Sequence, residues 1–310
     1  MRALGTIFLI AATLVLSACG APAPSTGSGA GGTYAAVTDD NGRTVSFDQK
    51  PARIAVTSAS FIAPLYAVGG EVVGRPDSKM KIPDAAKAAP SIGKTYQIDT
   101  EKLISLSPDL VLLNRGMNEK LIDTLDANGI KTLVLDGKSY DDVKREIGIL
   151  AVLTGEKEKG EELVRKMDSD LDAVRRSIPQ EKKRVAIIHS TGQGLSVQLD
   201  GSIAGCIANM LGWENTAAGM PALDKNPDAA PYSMETLVAQ NPDILFVTSM
   251  GDEAEIRASM EAMFADNPAW QTVTAIREGR VYYLPQEMFL FSPGLDYPAA
   301  AKYMAGLVYP

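Results

Sequence analysis

The phrase Glu101-Lys-Leu-Ile-Ser-Leu-Ser-Pro108-Asp109-Leu-Val-Leu-Leu returns 134 positions later as Glu235-Thr-Leu-Val-Ala-Gln-Asn-Pro242-Asp243-Ile-Leu-Phe-Val. In each copy an amphipathic run starts at a Glu and stops before Pro, whose ring removes an amide donor and pushes the preceding residue out of the helical region. Branched apolar residues follow Pro-Asp directly, the pattern of a buried strand. Arg53-Ile-Ala-Val and Arg184-Val-Ala-Ile precede the two copies in the same order, so the duplicated unit extends over roughly a hundred residues. A chain built this way is expected to fold as two lobes of one helix-and-strand design with a cleft between them.

Asp39-Asp40-Asn41-Gly42, set between the runs 34–37 and 44–47, predicts a hairpin. Residues 54–57 read as the first core strand, 62–68 as a helix closed by Gly69-Gly70, and 72–73 as a second strand. The first phrase supplies another helix and the strand 110–113, followed by a helix near 120–128 and a strand at 132–135. Strands alternating with helices imply a parallel sheet.

Residues 140–177 are rich in helix formers and charges, with Gly155 and Gly160 as interruptions and no Pro before Pro179. Leu163, Met167, Leu171 and Val174 share one stripe, and a continuous helix from 156 to 177 would be roughly 33 Å long. One rod, rather than several crossing strands, is expected to join a lobe of residues 34–139 to a lobe of residues 180–310, with 140–179 as the linking segment. Such a rod limits hinge closure, which needs loop residues able to change φ and ψ.

Met1-Arg2 and an apolar stretch lead into Leu16-Ser17-Ala18-Cys19. The stretch falls short of the roughly 20 residues that span a bilayer, and small residues before a Cys match the lipobox of bacterial lipoprotein signals. Residues 1–18 are therefore expected to be removed, leaving Cys19 to carry a diacylglycerol. Residues 19–33, almost wholly Gly, Ala, Pro, Ser and Thr, would be the tether. The folded part then works outside the cytoplasm, anchored to a bacterial membrane. A net charge of -8 without a basic cluster argues against nucleic acid as a partner. Cys206, in an apolar helical run, reads as a buried structural thiol; with Cys19 acylated it has no disulfide partner.

Further pieces stand in a specific order: Val37-Thr-Asp-Asp-Asn-Gly-Arg-Thr-Val45 with Pro51-Ala-Arg-Ile54, both Glu-x-Leu-x4-Pro-Asp phrases, the linking helix, Asn267-Pro-Ala-Trp270, and Arg280-Val-Tyr-Tyr-Leu-Pro285. Together they resemble the helical-backbone metal-complex receptors, the substrate-binding lipoproteins of ABC importers, with the nearest likeness to haem receptors. The resemblance covers about Thr38 to Pro310. It implies an α/β fold of two Rossmann-like lobes with central parallel sheets joined by one long α-helix, a class III substrate-binding protein. It also implies a monomer without intrinsic cofactor that passes an iron complex to a permease and its ATPase. Haem is the favoured cargo, with a ferric siderophore or cobalamin as the alternative. In this family a Glu on each lobe docks onto permease arginines, and the matching positions are Glu101 and Glu235, where a carboxylate in a first helical turn is favoured by the helix dipole.

Ligands of open parallel sheets bind beyond the carboxyl ends of the strands. That rule singles out Ser58 and Phe61, Lys94 and Tyr96 just before Glu101, Arg115 and Met117, His189, and Met250. Lys94 and Arg115 suit ligand carboxylates, while Phe61, Phe289 and Phe291 suit an aromatic or macrocyclic ligand. By the resemblance, Tyr96 and Met250 hold the positions of axial metal ligands, and haem iron accepts both side chains. His189, the sole His, reads either as a ligand or as a hydrogen-bonded strand-end residue. One imidazole is too few for naked zinc or manganese, so the metal is expected to arrive chelated. With no Walker loop, nucleophile elbow, Cys-His pair or dinucleotide fingerprint, a binding protein is expected rather than an enzyme. A tetrapyrrole-processing, chelatase-like protein is the less favoured alternative on a related fold.

Overall fold

In the computed structural model, which describes residues 32–310, the repeated phrase folds twice into the same module. The expected signal, Cys19 and nearly all of the tether lie outside the described residues. A hairpin of β1 (Ala35–Thr38) and β2 (Thr44–Phe47) comes first. It is followed by β3 (Ile54–Val56), α1 (Ile62–Ala67), β4 (Val72–Asp77), β5 (Ser91–Lys94), β6 (Gln97–Ile98), α2 (Thr100–Ser105), β7 (Leu110–Asn114), α3 (Ile122–Ala127) and β8 (Lys131–Leu135). These strands make a sheet of order β6-β5-β4-β3-β7-β8, parallel except at the edge strand β6.

Two helices, α4 (Tyr140–Thr154) and α5 (Lys157–Ser177), lead into the second lobe. There follow β9 (Arg184–Thr191), β10 (Gly194–Gln198), α6 (Ile203–Met210), β11 (Glu214–Asn215), β12 (Ala229–Pro231), α7 (Met234–Gln240) and β13 (Ile244–Met250). The chain ends with α8 (Glu253–Asp266), α9 (Thr274–Arg277), β14 (Val281–Tyr283), α10 (Gln286–Phe289) and α11 (Tyr297–Val308). The sheet order is β12-β10-β9-β13-β14, with β11 pairing β9. Its centre, β9-β13-β14, is parallel as expected, but β10 and β12 run antiparallel. The reason is local: Gly192-Gln193 turns β9 straight back so that Gly194, at φ 138°, pairs with Thr191. A hairpin thus takes the place of a crossover helix on that side.

In the duplicated module, Asp99 caps α2 by accepting from the Lys102 N–H at 2.9 Å, and Ser233 caps α7 by accepting from Thr236 at 3.2 Å. The residue before each Pro, Ser107 at φ 49° and Asn241 at φ 44°, takes the left-handed conformation that ends the helix. The following Asp then selects the neighbouring strand. Asp109 accepts from the backbone N–H groups of Ala52 at 2.7 Å and Arg53 at 3.0 Å, and Asp243 from that of Arg184 at 2.9 Å. The two Asp N–H groups return the bond to the Arg53 and Arg184 carbonyls at 2.9 and 2.8 Å. Matching registers result, Ile54 beside Leu110 and Val185 beside Ile244. Pro-Asp is therefore both a helix stop and a strand-pairing clamp.

A single rod joins the lobes, as expected. Gly155, at φ 73°, closes α4, and α5 runs on with Met167, Leu171 and Val174 buried and Leu163 half-buried. It packs against α4 on one side and α11 on the other. Gly160 is the close-approach point, because a Cβ there would lie less than 3.0 Å from the Ala151 Cβ. One apolar core passes from Val56 and Leu112 through Ile147 and Met167 to Ile187 and Phe246, while the other face of each sheet has its own core. Thr33–Pro310 is in consequence one compact unit.

Candidate ligand cleft between the lobes

A cavity of about 730 Å³ lies between the two lobes. Ala59, Ser60 and Ala63 after β3, with Lys79, Met80 and Lys81 after β4, form one wall. Glu253, Gln286, Met288 and Phe291 belong to the other. Both walls are loops beyond the carboxyl ends of parallel strands, where side chains from separate segments converge.

The second wall is tied down. The Gln286 N–H donates to the Glu253 carboxylate at 2.9 Å, and the Gln286 side-chain amide donates to the Gly251 carbonyl at 2.7 Å. Beside the cavity the lobes are bonded to each other. The Ser292 hydroxyl donates to the Gly137 carbonyl at 2.5 Å, the Tyr297 hydroxyl donates to the Lys138 carbonyl, and the Lys138 ammonium pairs with Asp228 at 3.1 Å.

Four of the residues expected at the site stand exposed as large apolar side chains. They are Tyr96 (68 %), Met117 (55 %), Met250 (56 %) and Phe291 (44 %), and Phe291 lines the cavity itself. Tyr96 sits on the turn between β5 and β6 with the Lys94 ammonium 5.7 Å from its ring centre. Asn118 donates to the Thr95 carbonyl at 2.8 Å, drawing that turn against the loop that carries Arg115 and Met117. Met250 ends β13, one residue before the glycine that Gln286 holds. Tyr96 and Lys94 therefore lie on a turn bonded to the loop of Arg115 and Met117, and Met250 precedes a glycine tied to Gln286; none of these five lines the cavity, and of the expected ligand residues Phe291 alone does.

Other expectations require correction. Phe61 is 0 % and Phe289 4 % exposed; both turn inward from short helical turns into the shared core, so neither walls a ligand. The Ser58 hydroxyl is 2.8 Å from that of Ser60 and caps the turn Ala59–Phe61, leaving Ser60 to face the cavity. Arg115 pairs with Asp136 at 3.4 Å. Burial pushes the Asp136 carboxyl above its ordinary value, with Lys138 and Arg115 opposing. His189 is half-buried in β9 with Nδ1 3.0 Å from the Thr248 hydroxyl, and burial pulls its pKa down, which favours the neutral ring. Glu101 and Glu235 are exposed in the first turns of α2 and α7.

Ser60, Lys79, Met80, Lys81, Gln286 and Met288 are among the lining residues that sequence reasoning missed. The strand β4 runs on to Asp77, beyond the 72–73 expected from the sequence, and passes through Gly74 and Pro76. Gly74 is a close-approach site, where a Cβ would lie 2.6 Å from Leu106 Cδ1 and 3.1 Å from Ile92 Cγ2.

The fold has clear counterparts among known proteins. A Bacillus subtilis protein described as a probable siderophore-binding lipoprotein, YfiY, is 23% identical over 96% of this chain and 94% of its own length. The crystal structure of an ABC transporter substrate-binding protein from Listeria monocytogenes superposes with a TM-score of 0.74 at 23% identity, covering 84% of this chain and 98% of that one. Staphylococcus aureus IsdE complexed with heme gives 0.71 at 22% identity, covering 83% of this chain and 99% of that one. Two lobes on one rod are the class III arrangement of binding proteins. Residues 54–288 match the periplasmic binding protein family along both lobes and the rod between them, and the chain belongs to that family.

Proposed function

We propose that the chain is the substrate-binding component of an ABC importer that captures an iron complex, haem first, in the interlobe cavity and delivers it to the permease. In this reading residues 34–139 and 180–310 are the lobes, residues 140–179 the linking segment, and Cys19 the lipid anchor that keeps the receptor at the outer face of a membrane. The protein binds and releases without chemistry. The carrying observation is an interlobe cavity of about 730 Å³ lined by strand-end segments of both lobes and by the exposed ring of Phe291. Phe291 gives this cavity an apolar face for a ligand to cover, and the volume suits a small-molecule site. Tyr96 and Met250 are the candidate iron ligands, and the exposed Glu101 and Glu235 the candidate docking carboxylates.

The charged lining, with Lys79, Lys81, Glu253, Glu287 and Asp296, favours a second reading, a ferric siderophore as cargo. Hemin titration separates the two. Under the first reading the Soret band shifts on mixing, and Tyr96→Ala or Met250→Ala weakens the shift. An unchanged spectrum together with tight binding of a ferric siderophore moves the assignment to the second.

A further inference from the structure

We propose that the buried carboxyl of Glu146 and the Gly137–Lys138 turn that covers it form a proton-dependent latch between the lobes. With the carboxyl protonated the turn holds the second lobe; with the carboxyl ionised the turn lifts, and the lobes part beside the cavity. The turn stands between β8 and α4 and belongs to neither. It receives the second lobe through both of its carbonyls and one side chain. The Ser292 hydroxyl donates to the Gly137 carbonyl at 2.5 Å, the Tyr297 hydroxyl donates to the Lys138 carbonyl, and the Lys138 ammonium pairs with Asp228 at 3.1 Å. Ser292 also lines the cavity, so displacement of the turn is felt at the cavity wall. The latch is independent of what the cavity holds.

Glu146 lies directly under this turn. It is 4 % exposed, and its Oε1 has no hydrogen-bond partner among the described residues. Its Oε2 is against the turn itself: Gly137 has φ 61°, and a Cβ there would stand 2.7 Å from Oε2 and 3.9 Å from Phe61 Cε1. A carboxylate shut away from water and donors is strongly unfavourable, whereas the neutral acid is tolerated.

The neighbouring charges deepen this preference. Burial, joined by Asp40 on the hairpin and Asp142 on the same helix, pushes the Glu146 carboxyl well above its ordinary value, and Arg145 opposes them. Arg145 is already committed, donating to Asp40 at 2.9 and 2.6 Å and to Asp142 at 2.8 Å. Asp136, at the start of the turn, has its own carboxyl raised by burial. Among the other elements packed on α4, β1 has no titratable residue and α1 has Tyr66, whose hydroxyl accepts the Val72 N–H at 3.4 Å. The segment Gly294–Asp296 has Asp296, which lines the cavity. From α5 comes Asp168, held by Tyr140 at 2.9 Å and Lys144 at 3.4 Å, while Lys157, Glu161 and Arg165 stand around Gly148 and Val152, on another face of α4. Ionisation therefore adds a charge beside Asp40 and Asp142 with Arg145 already shared between them. Water reaches that charge most readily from the side that no helix or strand closes, which is the turn. Because the folded pKa lies above the ordinary 4.5, the latch is closed below the folded value and opens as pH rises through it.

Amide hydrogen exchange of the purified protein, read by mass spectrometry from about pH 5 to pH 9 beside Glu146→Gln at each pH, tests this, since comparison at equal pH cancels the intrinsic rate. At the acid end the two proteins are expected to match. As pH rises, segments 136–140 and 290–298 should exchange faster in the parent than in the variant, by up to about tenfold per pH unit above the folded pKa. The helix α3, on the opposite face of the first sheet, should not change. Equal rates at every pH overturn the latch. So does a difference shared by α3, which marks a general gain in stability, and so does loosening of 136–140 with 290–298 unmoved, which leaves the lobes joined. Should Glu146→Gln fail to fold, the parent alone gives the answer, as the ratio of rates in the two segments to that in α3 after correction for intrinsic exchange; a ratio constant with pH overturns the latch.

Discussion

Replacing Gly160 by Ala tests whether contact between α4 and α5 sets the attachment of the rod. The added Cβ would lie under 3.0 Å from the Ala151 Cβ, with the Ile147 carbonyl at 3.5 Å. Carbon pairs are comfortable no nearer than roughly 3.5 Å, so the two helices must part by about half an ångström or more. Overpacking of this kind costs about 1–3 kcal/mol, while the better helix propensity of Ala returns about 1 kcal/mol. The net change in the single variant is therefore small and its sign uninformative. A double-mutant cycle removes the ambiguity. Ala151→Gly alone loses about 1 kcal/mol of propensity, but in Gly160→Ala with Ala151→Gly the methyl group has only changed helices and the collision is gone. Propensity terms cancel in the cycle, leaving a favourable coupling of about 1–3 kcal/mol. Urea midpoints of the four proteins measure it. Additivity within about 0.5 kcal/mol would refute the claim that these two positions set the spacing of α4 and α5.

Two further predictions concern pH and one concerns delivery. Glu146 is buried with Oε1 lacking a hydrogen-bond partner, and burial, followed by Asp40 and Asp142, raises its pKa well above 4.5. Its contribution to stability is complete below 4.5 and lost as pH rises through the folded value, so Glu146→Gln should be more stable than the parent at pH 8, by a margin that shrinks toward pH 5; a margin independent of pH refutes this. His189 has the opposite sign. Its folded pKa lies below 6.5, so its contribution is present above 6.5 and lost as pH falls, and His189→Gln should flatten the decline of the urea midpoint on acidification; an unchanged slope counts against it. Charge reversal at both Glu101 and Glu235 should abolish cargo uptake by cells while leaving the affinity of the purified receptor within about twofold; normal uptake would remove these residues from the docking surface.

Legibility differed from segment to segment for physical reasons. The helix stop at Ser107-Pro108 and its twin at Asn241-Pro242 could be read because Pro acts through its own ring and its immediate neighbour. The apolar stripe of α5 was equally local. The hairpin at Gly192-Gln193, a two-residue turn opened by Gly, is accessible in principle, but an alternation of strands with crossover helices does not ask for it. Phe61, Phe289 and Phe291 show the limit most plainly. The three side chains are chemically identical, yet two are buried and one lines the cavity.

Duplication, the helix-to-strand order within each half and the stiff connector were determined by the chain alone, because periodicity and proline stops are short-range properties that each copy carries in full. The cavity was decided only in three dimensions. Its walls come from loops after β3, β4 and β14, more than two hundred positions apart from first to last, and no local pattern records which side chains will meet there. Packing of α5 between α4 and α11 brings those loops to one place, and with them the charges of Lys79 and Lys81 from one lobe and of Glu253 and Glu287 from the other.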